Sequence, residues 1–173
     1  MQTADPLPGL PPGMVFLTEP SPLWPALFTR EADRLAAALG SRVLAIEHYG
    51  STSIPGIRAK PVIDLLVGLA SLDDALDCIP QMEALGYDFA AHAGVPDHHV
   101  FGLGAARTHL AHFVEFEGSA WHECLRFRDR LRADPALAGA YEALKINLSE
   151  CFPEARADYT AGKSAFVSEV LSR

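Results

Sequence analysis

"EHYGSTSIPGIRAKPVIDLLVGL", residues 47–69, decides the fold. Short apolar runs rich in β-branched residues and bounded by Gly and Pro read as strands. Residues 43–49 and 62–69 therefore predict two neighbours in one sheet, with 50–61 as an exposed loop between them. Gly50 has no side chain, so the backbone there can take positive φ or approach a ligand closely. Ser51, Thr52 and Ser53 add hydroxyls and successive amides that can cradle phosphate oxygens. Asp64, at the start of the second run, offers a carboxylate to Mg²⁺, which prefers oxygen ligands and phosphate partners. The alternative is an ordinary turn between two buried strands, for which Gly, Ser and Pro are the usual residues.

Upstream, seven of the thirteen prolines fall in residues 1–25, predicting an extended, poorly ordered arm over 1–14. A helix over 22–39 follows, with Ser21 as cap, Pro22 at its first position and Gly40 at its end. Downstream, Ser71 with Asp74 resembles a capping box, and the apolar spacing predicts a helix ending at Gly86, kinked at Pro80. Residues 98–104 and 109–117 read as adjacent strands. From Ser119 onward the chain reads as three helices, broken at Asp134-Pro135 and at Pro153. Residues 15–173 thus form one domain of α+β (α/β) class: a mixed β-sheet with flanking helices and a helical C-terminal third. Trp24 and Trp121, near helix starts, read as core.

Composition narrows the function. A chain of 173 residues with 49% hydrophobic and 21% charged content is that of an ordinary globular domain. No apolar run approaches the roughly 20 residues that span a bilayer, and no secretory signal is expected at the N-terminus. Cys78, Cys124 and Cys151 are odd in number and without CxxC spacing, which fits free thiols in a reducing cytoplasm. The net charge of −8 argues against broad nucleic-acid binding. It leaves room for a local basic pocket. Lys60 and Arg58 in the loop, Arg107 before a strand, and Lys145 and Lys163 are its candidates for phosphate contact. Tyr141/Lys145 and Tyr159/Lys163 each share a helix face at i, i+4. Arg126, Arg128, Arg130 and Arg132 read as a solvated helix face.

The Gly-Ser turn and the Asp strand resemble the nucleotidyltransferase signature. More closely, residues 47–69 together with "RTHLAHFVEF", "LRFRDRLRADP", "YEALK" and "YTAGKSAF" resemble, in order, the blocks of the GrpB family over about residues 15–170. The resemblance implies a nucleotidyltransferase-like fold and a nucleotide or related phosphorylated metabolite as ligand, held with Mg²⁺. It implies phosphate contacts from Gly50, Ser51, Thr52, Ser53, Lys60 and Arg107, with Lys145 and Lys163 falling in matching blocks. Some GrpB-like domains are joined to dephospho-coenzyme A kinase, which suggests a coenzyme A precursor as a ligand.

Two departures from the pattern matter. Transferases of this type place a second acid two residues after the first, on the same strand face. Here that position is Leu66. Glu47 on the preceding strand and Glu115 on a later one are the substitute carboxylates; without one, a non-catalytic binding module on a decayed transferase scaffold is the alternative. The family's His-x-His becomes His109-Leu-Ala-His112, whose two imidazoles belong to opposite strand faces. A zinc site recruiting Asp97, His98 and His99 is a further reading of this block.

Overall fold

Five strands make one mixed sheet in this computed structural model, which describes residues 7–91 and 95–173. They are β1 (Ala45–Tyr49), β2 (Ile63–Leu69), β3 (Tyr87–Phe89), β4 (His99–Leu103) and β5 (His109–Glu115), in the order β1-β2-β5-β4-β3. β2 and β5 run parallel; the other pairs are antiparallel. The strands around residues 43–49 and 62–69 are therefore neighbours.

Register then fixes which side chains meet. Tyr49 lies opposite Asp64 and Glu47 opposite Leu66; Asp64 lies beside Leu110 and Leu66 beside His112. With a period of two, Ile63, Leu65, Val67, Ala111 and Phe113 share one face. They form the main core with α1 (Trp24–Leu39) and α2 (Ile79–Ala84). Glu47, Tyr49, Asp64, Leu66 and His112 share the other. There Leu66 and Val114 pack on Trp121 of α3 (Ser119–Ala133). The rest of the helical third follows as α4 (Pro135–Cys151), α5 (Arg156–Ala161) and α6 (Ser164–Ser172).

Several expectations need correction. Residues 7–14 pack onto the domain: Leu7 and Leu10 are buried, and Leu10 exchanges backbone hydrogen bonds with Arg107. Residues 1–6 lie outside the described residues. The 50–61 connector is not an exposed loop, because Thr52, Ser53, Ile54, Ile57 and Ala59 are buried and Ala59 bridges to Thr18. α1 begins two residues late, with Pro25 in its first turn. The expected 71–86 helix is a 3₁₀ stretch, Leu72–Cys78, followed by α2. Pro80 sits in the first turn of α2, where its missing N–H is harmless, so it starts a helix and does not kink one. The C-terminal third holds four helices, since Gly162 and Lys163 separate α5 from α6. Asp134 caps α4, accepting from the amides of Ala136 and Leu137 at 3.0 Å each. Among the described residues no helix is long and apolar enough to cross a membrane.

The arginines of α3 are not simply a solvated face. Arg128 is buried and donates to Glu47 at 2.6 Å, to the His48 carbonyl at 3.0 Å and to Asp129 at 2.7 Å. Arg132 donates to the Ser53 carbonyl at 2.9 Å, and Arg130 donates to the Val170 carbonyl. These contacts fasten α3 to β1, to the Gly-Ser turn and to α6. Arg128→Met would leave the buried His48 carbonyl without its guanidinium donor. Losing charge-assisted hydrogen bonds of this kind destabilises by about 2–3 kcal/mol, a melting-temperature loss of roughly 5–10 °C. Arg128→Lys should not recover it, because one ammonium cannot reproduce the fork. Thermal unfolding of both variants tests this, and an unchanged melting temperature would contradict it.

Candidate functional site

The centre of the site is a contact between one glycine and one carboxylate. Gly50 takes φ 70° and ψ −176° where β1 ends. A Cβ built there would stand 2.3 Å from Asp64 Oδ2. Any side chain at position 50 would meet both a disfavoured backbone conformation and the carboxylate. Asp64 lies at the start of β2, opposite the last residue of β1, and its side chain remains 23% exposed. Burial alone would raise its pKa. The nearby His112 imidazole, with Lys60 and Lys163 beyond, overcomes burial and holds the carboxyl below its ordinary range.

The turn itself is braced from within. Ser53 Oγ donates to the Gly50 carbonyl at 2.6 Å, and Thr52 Oγ1 bonds His48 Nε2 at 2.9 Å. His48 stacks on Phe28, with centroids 4.7 Å apart, and burial pushes its pKa down to about 4. Thr52 and Ser53, expected to offer hydroxyls to phosphate, spend them on the turn. Ser51 is different: its hydroxyl acts on the Tyr141 phenol, opposing the burial that pushes that phenol up to about 12. Ser51 therefore faces α4, on the side of Asp64.

The lysines approach from three elements. Lys60 and Lys163 stand over the ring of buried Tyr159, 5.5 and 4.7 Å from its centroid. Lys145 is 1% exposed, lies 5.0 Å over Tyr141 and donates to the Arg58 carbonyl. Burial first, and then Lys163, push both Lys60 and Lys145 down to about 7. Burial also lowers Lys163, against the pull of Asp64. Arg156 joins them electrostatically and keeps a buried Nη2 without a hydrogen-bond partner. Nothing in the sequence distinguishes Arg156 from a helix-surface arginine; only the packing of α5 reveals it.

Other candidates are placed elsewhere or already engaged. Arg107 lies flat on Gly102, where a Cβ would come within 2.7 Å of its guanidinium. It grips both oxygens of Asp88 and donates to the carbonyls of Gly102 and Gly104, so it is a fastening between strands and not a free phosphate ligand. Glu115 is exposed and has the strand parity of Phe113, on the face away from Asp64. Glu47 shares the face of Asp64 and stands opposite Leu66, but Arg128 holds its carboxylate. Leu66 itself is fully buried against Val114 and Trp121. Arg58 pairs with Glu19 at 2.5 Å.

The histidines divide by face as their spacing predicts. His112 lies on the Asp64 side, with Nε2 3.6 Å from Asp64 Oδ1, too long for a direct hydrogen bond. Its Nδ1 is 3.3 Å from His98 Nδ1. Among the described residues no three His, Cys, Asp or Glu side chains converge as a metal-binding group. Two metals do not fit here: Leu66 stands where the second acid belongs, and Glu47 is held away. One Mg²⁺ fits only if Asp64 shares it with a ligand's phosphate. A cavity of about 350 Å³ lies behind the turn, lined by Trp24, Pro25, His48, Ile54 and Arg132 among others. Its His48 and Arg132 are bonded to the turn, so the chemistry concentrates at Asp64.

Comparison with known proteins agrees with this architecture. The chain is similar to a solved cytoplasmic RNA terminal U-transferase, with TM-score 0.52 and 19% identity over 76% of this chain and 41% of that one. That likeness is of fold: the chain has a nucleotidyltransferase-like fold. The GrpB protein family model matches residues 14–173, and the chain belongs to the GrpB family. It is 37% identical to the glutamate-rich protein GrpB of Alkalihalophilus pseudofirmus, over 95% of this chain and 98% of that protein. The structure of conserved protein GrpB from Enterococcus faecalis superposes with TM-score 0.82 at 32% identity, covering 91% and 95%. A dephospho-CoA kinase of Mycolicibacterium paratuberculosis is 30% identical over 86% of this chain, which spans 39% of that protein.

Two outcomes follow for stability. Gly50→Ala should destabilise by about 3 kcal/mol or more, combining positive-φ strain with the clash. Adding Asp64→Ala should recover only part, since it removes the clash and not the strain. Denaturant unfolding of the three proteins decides it, and full recovery or no loss would contradict the geometry. Between pH 7 and the ordinary lysine value of about 10.4, the unfolded chain binds more protons at Lys60 and Lys145 than the folded one. Stability should therefore rise with pH through that window, by at most about 1.4 kcal/mol per pH unit for each lysine. Lys145→Met should flatten the rise. Melting temperatures at pH 7, 8 and 9 measure it; a fall over this range would refute the assignment.

Proposed function

We propose that this chain binds a nucleotide or related phosphorylated metabolite between the Gly50–Ser51 turn, Asp64 and the lysines of the helical third. One observation carries the reading: the Asp64 carboxylate, pressed on a glycine turn, lies among cations that form no ion pair among the described residues. Phosphate oxygens would take the amides and hydroxyl at Ser51 and the ammoniums of Lys60, Lys145 and Lys163. Mg²⁺, when bound, would be shared between Asp64 and the ligand's phosphate. If the protein is catalytic, the reaction class is nucleotidyl transfer, in which cations neutralise charge developing at phosphorus.

Leu66 supports a second reading, a non-catalytic ligand-binding or interaction module on a decayed transferase scaffold. Losing a required metal ligand would cost several kcal/mol of barrier stabilisation, more than about a thousandfold in rate. The likeness to a protein named dephospho-CoA kinase makes coenzyme A precursors worth including among the ligands tested.

A thermal-shift screen of nucleotides and coenzyme A precursors, with and without Mg²⁺, tests the binding reading. A ligand at about 100 times its Kd adds roughly 2.7 kcal/mol, or about 5–10 °C for a chain of this size. Asp64→Asn should keep the shift seen without metal and lose any increment due to Mg²⁺. No shift with any phosphorylated compound would sink the proposal. Turnover in the wild type that disappears in Asp64→Asn would decide for the transferase over the binding module.

A further inference from the structure

The sequence contains three lysines against eleven arginines, and all three lysines lie in this one site. They come from the connector before β2, from α4 and from the start of α6. Among the described residues none forms an ion pair; every salt bridge belongs to an arginine or a histidine. Their neighbours are aromatic faces, Tyr159 for Lys60 and Lys163 and Tyr141 for Lys145. For Lys145 the backbone carbonyl of Arg58 accepts one of its three N–H groups. A buried ammonium without a counter-ion is costly, so such a group either gives up its proton or awaits an anion. Arginine cannot give up its proton, whereas lysine can. The gathering of all three lysines here is the chemistry of a site whose charge changes with occupancy.

We propose that Lys60, Lys145 and Lys163 form a site for the diphosphate or triphosphate end of the ligand, which fills without a divalent cation and draws protons onto the lysines as it fills. This rests on the phosphate-binding reading above and adds to it the ligand class and the independence from metal. The groups facing the lysines are Asp64 from β2, Tyr141 and Glu142 from α4, and Arg156 and Tyr159 from α5. Glu142 accepts from the Arg58 amide at 2.6 Å, which leaves Asp64 as the carboxylate shared by Lys60 and Lys163. Three ammoniums and a guanidinium exceed the charge of about −2 that one phosphate monoester carries. Two or three linked phosphates match it. In the empty site burial and repulsion from neighbouring cations depress Lys60 and Lys145 to about 7; the negative charge of a polyanion outweighs both causes, raising the lysines and taking up protons near neutral pH.

Because the chain has three lysines, the full-length protein labelled with ¹³C-lysine gives three Cε signals, assigned by single Lys→Arg variants. Their pH titrations would be recorded in EDTA, empty and with inorganic pyrophosphate, and again with orthophosphate and with Mg²⁺-pyrophosphate. The expected result is that the signals of Lys60 and Lys145 titrate near pH 7 in the empty protein. Pyrophosphate in EDTA should move both midpoints up by at least two pH units, with orthophosphate needing at least tenfold higher concentration. Midpoints near the free-lysine value, unmoved by pyrophosphate, would overturn the proposal. If the signals move only when Mg²⁺ accompanies pyrophosphate, the metal-free site is wrong while the phosphate reading stands. If no signal responds to pyrophosphate or to any nucleotide, with or without Mg²⁺, both fall together.

Discussion

The close approach of Asp64 to Gly50 is the constraint on which the site depends. It requires three things at once: a strand end opposite the start of another, a residue with positive φ at the junction, and no Cβ there. The brace behind it serves that geometry. Ser53 closes the turn on the Gly50 carbonyl, Thr52 holds His48, His48 stacks on Phe28 of α1, and Arg132 and Arg128 of α3 grip the Ser53 and His48 carbonyls. The turn is thereby fixed from both faces of the sheet, leaving Ser51 and Asp64 to face the helical third.

The cations occupy what this arrangement leaves open. Burial makes each lysine less basic, and repulsion adds to the effect, from Lys163 on Lys60 and Lys145 and from Arg156 on Lys163, while Asp64 pulls the other way on Lys60 and Lys163. The tyrosine rings accept the lysines electrostatically without neutralising them. The result is a cluster of basic side chains inside a chain whose overall charge is −8. A net charge of that size disfavours extended contact with polyanions such as nucleic acid and is compatible with a small polyphosphate held by one local cluster of cations.

Much of this was legible in the sequence, and for identifiable reasons. The strands flanking the Gly-Ser turn announced themselves by β-branched runs between Gly and Pro, and the Tyr/Lys pairs by their i, i+4 spacing, which the structure realises as cation–ring contacts. Placement across elements was not legible. Thr52 and Ser53 have the composition of a phosphate cradle, yet local hydrogen bonds claim their hydroxyls. Arg107 has the chemistry of a phosphate ligand, yet Asp88 on β3, a strand too short to read, claims its guanidinium. Glu115 differs from a usable acid only in strand parity, which depends on where the strand begins. Arg128 and Arg132 look like solvent-facing residues until α3 is laid on β1. Pairing partners far apart in the chain decide each of these, and a single sequence carries no record of them.

The central claim is that phosphate groups occupy the space between Ser51, Asp64 and the three lysines. A crystal structure of the full chain with a non-hydrolysable nucleoside triphosphate tests it most directly. The account predicts phosphate density within hydrogen-bonding distance of Ser51 and of at least two of Lys60, Lys145 and Lys163, with Arg107 still on Asp88. Phosphates bound elsewhere, for example in the cavity behind the turn beside Arg132, with the lysines unmoved on their tyrosines, would contradict it.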